Sequence, residues 1–162
     1  MDAGDDSPYV RVPEAADLAR IGQALNAAGA RYLLIGGFAV IAHGLGRPTK
    51  DIDLLVDDSP DNVARVKRGL AILADNAARE IDDEDVRRYT VVRVADEVLV
   101  DLMGRACGLT LAEAEIDAET VEIEGVPIPV ASKQTLIRTK NTVRPSDRSD
   151  VAYLEALIRS EE

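Results

Sequence analysis

Asp51 and Asp53 stand one residue apart, thirteen residues after the glycine pair Gly36-Gly37, and a third aspartate, Asp101, ends the apolar run Val98-Leu99-Val100. Side chains alternate along an extended chain, so Asp51 and Asp53 share one face while Ile52 and Leu54 turn to the other. Carboxylates so placed repel one another unless a cation or a proton intervenes. Their oxygens suit a hard ion such as Mg²⁺, which completes its shell with water and substrate phosphate. With a third carboxylate, two ions about 3.5–4 Å apart become feasible, one activating an acceptor hydroxyl and one stabilising the leaving oxygen. Glycine lacks a Cβ, so the pair permits positive φ and lets another group approach the main chain. Between a strand and a helix it leaves N–H groups at the positive end of the helix dipole, where a triphosphate fits. The chemistry indicated is phosphoryl or nucleotidyl transfer. Each part alone says little, because glycine pairs are common punctuation and acids at strand ends are commonly solvated. Neither GK[ST] nor GxGxxG accompanies the glycines.

The surrounding pattern must deliver these residues to one place. Residues 1–12 read as a flexible arm, and 13–162 as a single domain. Ala15, Leu18, Ile21 and Leu25 predict a helix over 13–28, stopped at Gly29. Tyr32 to Ile35 reads as a strand, Phe38 to His43 as a helix directly after the glycine pair, and 44–50 as a loop. Asp51 to Val56 is a second strand. Ser59 or Asp58 caps a helix expected over 61–78, with Pro60 in its first turn and Val63, Val66, Leu70 and Leu73 on one face. The charged stretch 79–88 reads as a loop. Strands follow at 89–94 and 98–102 about Asp96-Glu97, then a short helix within 109–116, and a hairpin of 120–123 and 126–130 about Glu124-Gly125. Ser132 caps the next helix, Pro145 breaks it, and 146–159 forms the last. The fold class is mixed α/β (α+β): a short mixed sheet backed by helices, with a helical C-terminal lobe.

Composition narrows the classes. The 162 residues carry a formal charge of −11, which opposes long-range attraction to nucleic acid without excluding a local basic cleft. With no Trp, one Phe and four Tyr, the core must be aliphatic. Cys107 is the only cysteine, so no intrachain disulfide forms. The acidic N-terminus lacks the basic and apolar regions of a signal peptide, and no apolar run approaches the roughly 18 residues that cross a bilayer. A cytoplasmic protein with no membrane partner is expected.

Taken together, Gly36, Gly37, Asp51, Asp53 and Asp101 resemble the signature of the nucleotidyltransferase superfamily related to DNA polymerase beta. The segment SKQTLIRTKNTVRPSDRSD is similar to one in small bacterial members related to the AbiEii toxins, through Ser132, Lys133, Leu136, Lys140, Arg144, Pro145, Asp147 and Asp150. The resemblance covers about residues 30–158. It implies the nucleotidyltransferase fold and transfer of a nucleoside monophosphate from an NTP to an acceptor, with loss of pyrophosphate. It makes Asp51, Asp53 and Asp101 catalytic metal ligands for Mg²⁺, two ions with Mn²⁺ as a substitute, and makes Gly36-Gly37 the cradle of the triphosphate. Lys133 and Lys140, seven apart on one helical face, would meet its β- and γ-phosphates as point charges. Gly37 departs from the serine often found at that position. The chain has little room for a separate acceptor-binding domain, so a homodimer or a partner protein is expected to complete the acceptor site. The acceptor itself is a small molecule, a protein or a tRNA end. The alternative reading is a non-catalytic binding module on the same fold, such as one half of a toxin–antitoxin pair, its acidic surface covering a basic partner.

Other residues are open to two readings. Arg47 and Lys50, before Asp51, steer the triphosphate or are solvated loop charges, and Lys50 is placed among the nucleotide-binding residues. His43 is read as a packed or surface histidine, Tyr32 and Phe38 as core, and Arg144, Asp147 and Asp150 as an ion-pair network at a helix start.

Overall fold

The computed structural model describes residues 10–162. Most of the arm expected over 1–12 lies outside the described residues; within it, Arg11 donates its backbone N–H to the Glu97 carbonyl (3.0 Å) and its guanidinium pairs with Asp17 and Glu97. Helix α1 (Ala15–Ala27) leads into β1 (Tyr32–Ile35), α2 (Gly36–Ala42), β2 (Asp51–Val56) and α3 (Pro60–Leu70). A 3₁₀ turn (Ala77–Glu80), α4 (Asp85–Arg88), β3 (Val92–Ala95) and β4 (Leu99–Met103) follow. Next come the small hairpin β5 (Arg105–Ala106) and β6 (Leu109–Thr110), then α5 (Leu111–Ala114), β7 (Glu119–Ile123), β8 (Val126–Val130), α6 (Lys133–Thr139) and α7 (Pro145–Ser160).

Six strands form one mixed sheet in the order β3-β4-β2-β1-β8-β7. At its centre β2 runs antiparallel to β1 and parallel to β4. The strand residues Leu34, Ile52, Leu54, Val100 and Leu102 are fully buried, in one cluster with Leu18, Ile21 and Leu25 of α1 and Val63, Val66 and Leu70 of α3. This aliphatic core holds the central strands in a single register, because a slip of one residue would turn Ile52 and Leu54 to solvent and drive the aspartates into the core. The C-terminal helices form the expected lobe, α7 against α6 and α6 against α2.

Local signals held where side chains cap or turn the chain. Ser59 is the N-cap of α3 and accepts the Asn62 N–H (3.3 Å), and Ser132 is the N-cap of α6 and accepts the Thr135 N–H (3.0 Å). Glu124 and Gly125, both at positive φ, make the β7–β8 turn.

The structure differs from expectation at several element boundaries. Helix α3 ends at Leu70 rather than near 78, because the backbone N–H groups of Asp75 and Ala77 turn to the buried Asp96 carboxylate (3.0 and 2.8 Å), with Asn76 in the left-handed region between them. The charged stretch 79–88 is not a plain loop: Ile81 and Val86 are buried and Lys67 reaches both the Ile81 carbonyl and Asp83. Helix α2 starts at Gly36 itself. Strand β3 starts at Val92, leaving Tyr89 and Val91 exposed before it.

Candidate active site

The acidic residues meet because two neighbouring strands, β2 and β4, present them in register. Asp53 pairs with Asp101 across parallel β2 and β4, so both side chains leave the same face of the sheet. Asp51 follows at a period of two. One carboxylate oxygen from each of Asp51, Asp53 and Asp101 lies within 4.8 Å of the others. Asp101 is 7% exposed, and Asp51 and Asp53 are partly buried. Ile35 is the β1 partner of Asp53, which brings Gly36, the next residue, against that carboxylate.

Gly36 has φ +72°, and a Cβ there would lie 2.1 Å from Asp53 Oδ2. The position therefore demands glycine twice, for its backbone and for its space. At Gly37 a Cβ would meet Thr49 Oγ1 at 2.6 Å and the Arg47 guanidinium at 3.2 Å.

Burial, joined by the negative charges of Asp51 and Asp101, pushes the Asp53 carboxyl up to about 7, against a partial offset from Lys140 and Arg93. A cluster that resists carrying all its charge is what a divalent cation would relieve. The donor set is all hard oxygen, which fits Mg²⁺ or Mn²⁺. The residues present thus fit a metal centre.

Arg93 is the site residue that sequence reasoning missed. It stands opposite Asp101 across β3 and β4. Its Nε and Nη2 donate to Asp101 Oδ1 and Oδ2 (2.8 and 2.9 Å), and Nη2 also donates to Asp51 Oδ2 (3.1 Å). The hairpin carried the signal. A three-residue turn, 96–98, pairs residue 93 with 101, whereas the two-residue turn Asp96-Glu97 shifts the pairing by one and hides it.

The triad lies in a cleft of about 500 Å³. Gly36, Gly37, Arg47, Lys50, Arg93, Lys140 and Arg144 line it together with the three aspartates. Lys140 Nζ pairs with Asp150 (3.0 Å) and Asp147 (3.5 Å), and Arg47 donates two bonds to Asp150 (3.0 and 2.6 Å). Asp150 is fully buried, so α7 holds two cations on the cleft wall. Arg144 and Thr142 donate to Asp147 at 2.8 and 2.7 Å, which makes the expected ion-pair network. Lys133 is a correction. It is absent from the cleft lining, and its ammonium turns to Glu161 (3.3 Å) and Glu119 (3.9 Å). Helix α6 ends at Thr139 with Lys140 as its C-cap, so the two lysines sit at opposite ends of a two-turn helix. His43 lies outside the cleft, its Nε2 2.9 Å from the Ala131 carbonyl, and Tyr32 and Phe38 are core.

A family model described as "Nucleotidyl transferase AbiEii toxin, Type IV TA system" matches residues 19–145. The chain belongs to the AbiEii nucleotidyltransferase family. No curated protein matches it. Among solved structures it is similar to a Thermotoga maritima protein described as a "putative nucleotidyltransferase", at 16% identity and a TM-score of 0.54, over 90% of this chain and 91% of the other. That likeness gives this AbiEii-family chain the nucleotidyltransferase fold. Among the described residues no helix is long and apolar enough to cross a membrane.

Proposed function

We propose that this AbiEii-family protein transfers a nucleoside monophosphate from an NTP to an acceptor hydroxyl or phosphate, using Mg²⁺ or Mn²⁺ held by Asp51, Asp53 and Asp101. The observation that carries the reading is the convergence of three carboxylates within 4.8 Å beside a glycine that only a bare main chain could satisfy. In the reaction an acceptor oxygen forms a bond to the α-phosphorus, the bond from that phosphorus to the bridging oxygen of the β-phosphate breaks, and pyrophosphate leaves. The acceptor proton passes to solvent. When bound, the metal supplies charge neutralisation on the phosphates and lowers the pKa of the acceptor hydroxyl.

The chain's own residues do the positioning. The β2–β4 register fixes the direction of the carboxylates, so the strands that carry them need little reorganisation on substrate binding. Gly36 makes room for the Asp53 carboxylate and Gly37 for Thr49 and Arg47, and both line the cleft with the main chain that the triphosphate would meet. Lys140, Arg47 and Lys50 face it as cations, and Asp147 and Asp150 hold Lys140 and Arg47 in place. The cleft carries six basic side chains, Arg47, Lys50, Arg93, Arg105, Lys140 and Arg144, on a protein of formal charge −11. They outnumber the four aspartates that also line the cleft, so a polyanion is favoured here over the rest of an acidic protein.

The test is incubation with each labelled NTP, Mg²⁺ and tRNA, protein or small cationic acceptors, with mass spectrometry of the products. Nucleotide addition with pyrophosphate release is expected, and loss on the order of 10²-fold or more in Asp53→Ala. Wild-type activity in that variant defeats the metal assignment.

One observation favours a second reading, a non-catalytic module that binds a partner such as an antitoxin in the cytoplasm: Arg93 pairs with both Asp51 and Asp101 and so neutralises part of the triad from within the chain. Calorimetry separates the two. Metal-dependent NTP binding that needs all three aspartates supports the enzyme, and its absence supports the module.

A further inference from the structure

Asp51 and Asp101 lie on strands β2 and β4, yet one side chain from edge strand β3 spans both. Arg93 gives Asp101 a two-pronged contact and reaches Asp51 with the same Nη2. A guanidinium is a planar fork matched to carboxylate oxygens, and charge-assisted bonds of this kind are the strong ones. These are also carboxylates whose oxygens a divalent ion would need. Arg93 side-chain exposure is 30%, so the group has room to leave toward the cleft, which it lines.

Resting on the reading of this site as a metal centre, we propose that Arg93 is a resident counter-cation that competes with the metal for Asp51 and Asp101. It holds like charges together in the metal-free protein. Because it must be displaced, free metal binds weakly. Metal delivered with a nucleotide binds better, since the polyphosphate offers the released guanidinium another anionic partner in the same cleft. Arg93 is thus a positioning residue that biases the site toward the metal–nucleotide complex.

The test is calorimetric titration of Mn²⁺ into metal-free wild-type protein, Arg93→Gln and Arg93→Lys, each with and without a non-hydrolysable NTP analogue. Arg93→Gln is expected to bind Mn²⁺ alone about tenfold more tightly than wild type, a change of about 1.4 kcal/mol. The analogue is expected to tighten Mn²⁺ binding more in wild type than in the variant. Arg93→Lys keeps the charge but loses the fork, and should fall between. It carries the test if the glutamine variant does not fold without metal. Unchanged or weaker Mn²⁺ affinity in the folded variants overturns the competition. Absence of Mn²⁺ binding in every protein, with and without analogue, overturns the metal centre itself and the proposal with it.

Discussion

A Cβ on Gly36 would stand 2.1 Å from Oδ2 of Asp53. The glycine of the pair that matters most therefore makes room for a carboxylate, and its left-handed φ of +72° closes the position to other residues. Gly36→Ala is expected to cost about 2–4 kcal/mol in urea unfolding, from backbone strain and overpacking together. It should also displace Asp53 and weaken Mn²⁺ binding. Gly37→Ala has an ordinary φ, and its new methyl meets the ends of Thr49 and Arg47. A smaller loss is expected there, and equal losses at both positions would contradict the assignment.

Asp53 predicts an unusual pH dependence for the metal-free protein. Burial and the neighbouring Asp51 and Asp101 charges push its carboxyl up to about 7 in the folded state, against an ordinary value of 3.8. Between these values the folded state holds a proton that the unfolded state has lost. Stability from this group is thus complete below about pH 4 and falls as pH rises through about 7. The difference between these values corresponds to at most about 4 kcal/mol. Asn at this position cannot ionise. In EDTA, Asp53→Asn should therefore match wild type in melting temperature near pH 4 and exceed it at pH 8. A constant difference across that range would contradict the shift.

The central strands were legible in the sequence because their signals are local and strong. Tyr32 to Ile35 and Asp51 to Val56 form strands with the expected bounds, and the period-two alternation placed Asp51 and Asp53 on one face. What the sequence left hidden depends on register or on distant partners. The Arg93 contact turns on whether a hairpin loop has two residues or three. The early end of α3 depends on Asp96, a buried side chain some twenty residues downstream, taking the N–H groups of Asp75 and Ala77. Lys133 and Lys140 share a helical spacing, but the acids that attract each come from other parts of the chain, Glu119 and Glu161 for one and Asp147 and Asp150 for the other.

Asp150 supports the cleft from behind. It is fully buried and joins Arg47 to Lys140. Leaving a buried charge uncompensated costs about 3–5 kcal/mol, and since Lys140 keeps Asp147 and Arg47 is partly exposed, about 2–3 kcal/mol applies here. Asp150→Ala is expected to lose that much in denaturant unfolding. It should also weaken nucleotide binding, because two cations lose their common anchor. A loss below about 1 kcal/mol would mean that water replaces the carboxylate, as at a surface pair.

Lys140 and Lys133 give the sharpest contrast, since the sequence assigned them the same role. Lys140 is 5% exposed and lines the cleft, while Lys133 is held at the other end of α6 by Glu161 and Glu119. In Lys140→Met, Arg47 still neutralises Asp150, and Arg144 still pairs with Asp147, so the fold should persist. Loss of a cation facing the triphosphate should then weaken binding of a non-hydrolysable NTP about tenfold, or about 1.4 kcal/mol. Lys133→Met should leave that affinity within about twofold, since it gives up only pairs with exposed acids, which are worth about 1 kcal/mol or less to stability. Calorimetry with saturating Mn²⁺ measures both. A tenfold loss in Lys133→Met, with none in Lys140→Met, would reverse the assignment and place the polyphosphate along α6 instead of in the cleft beside Asp53.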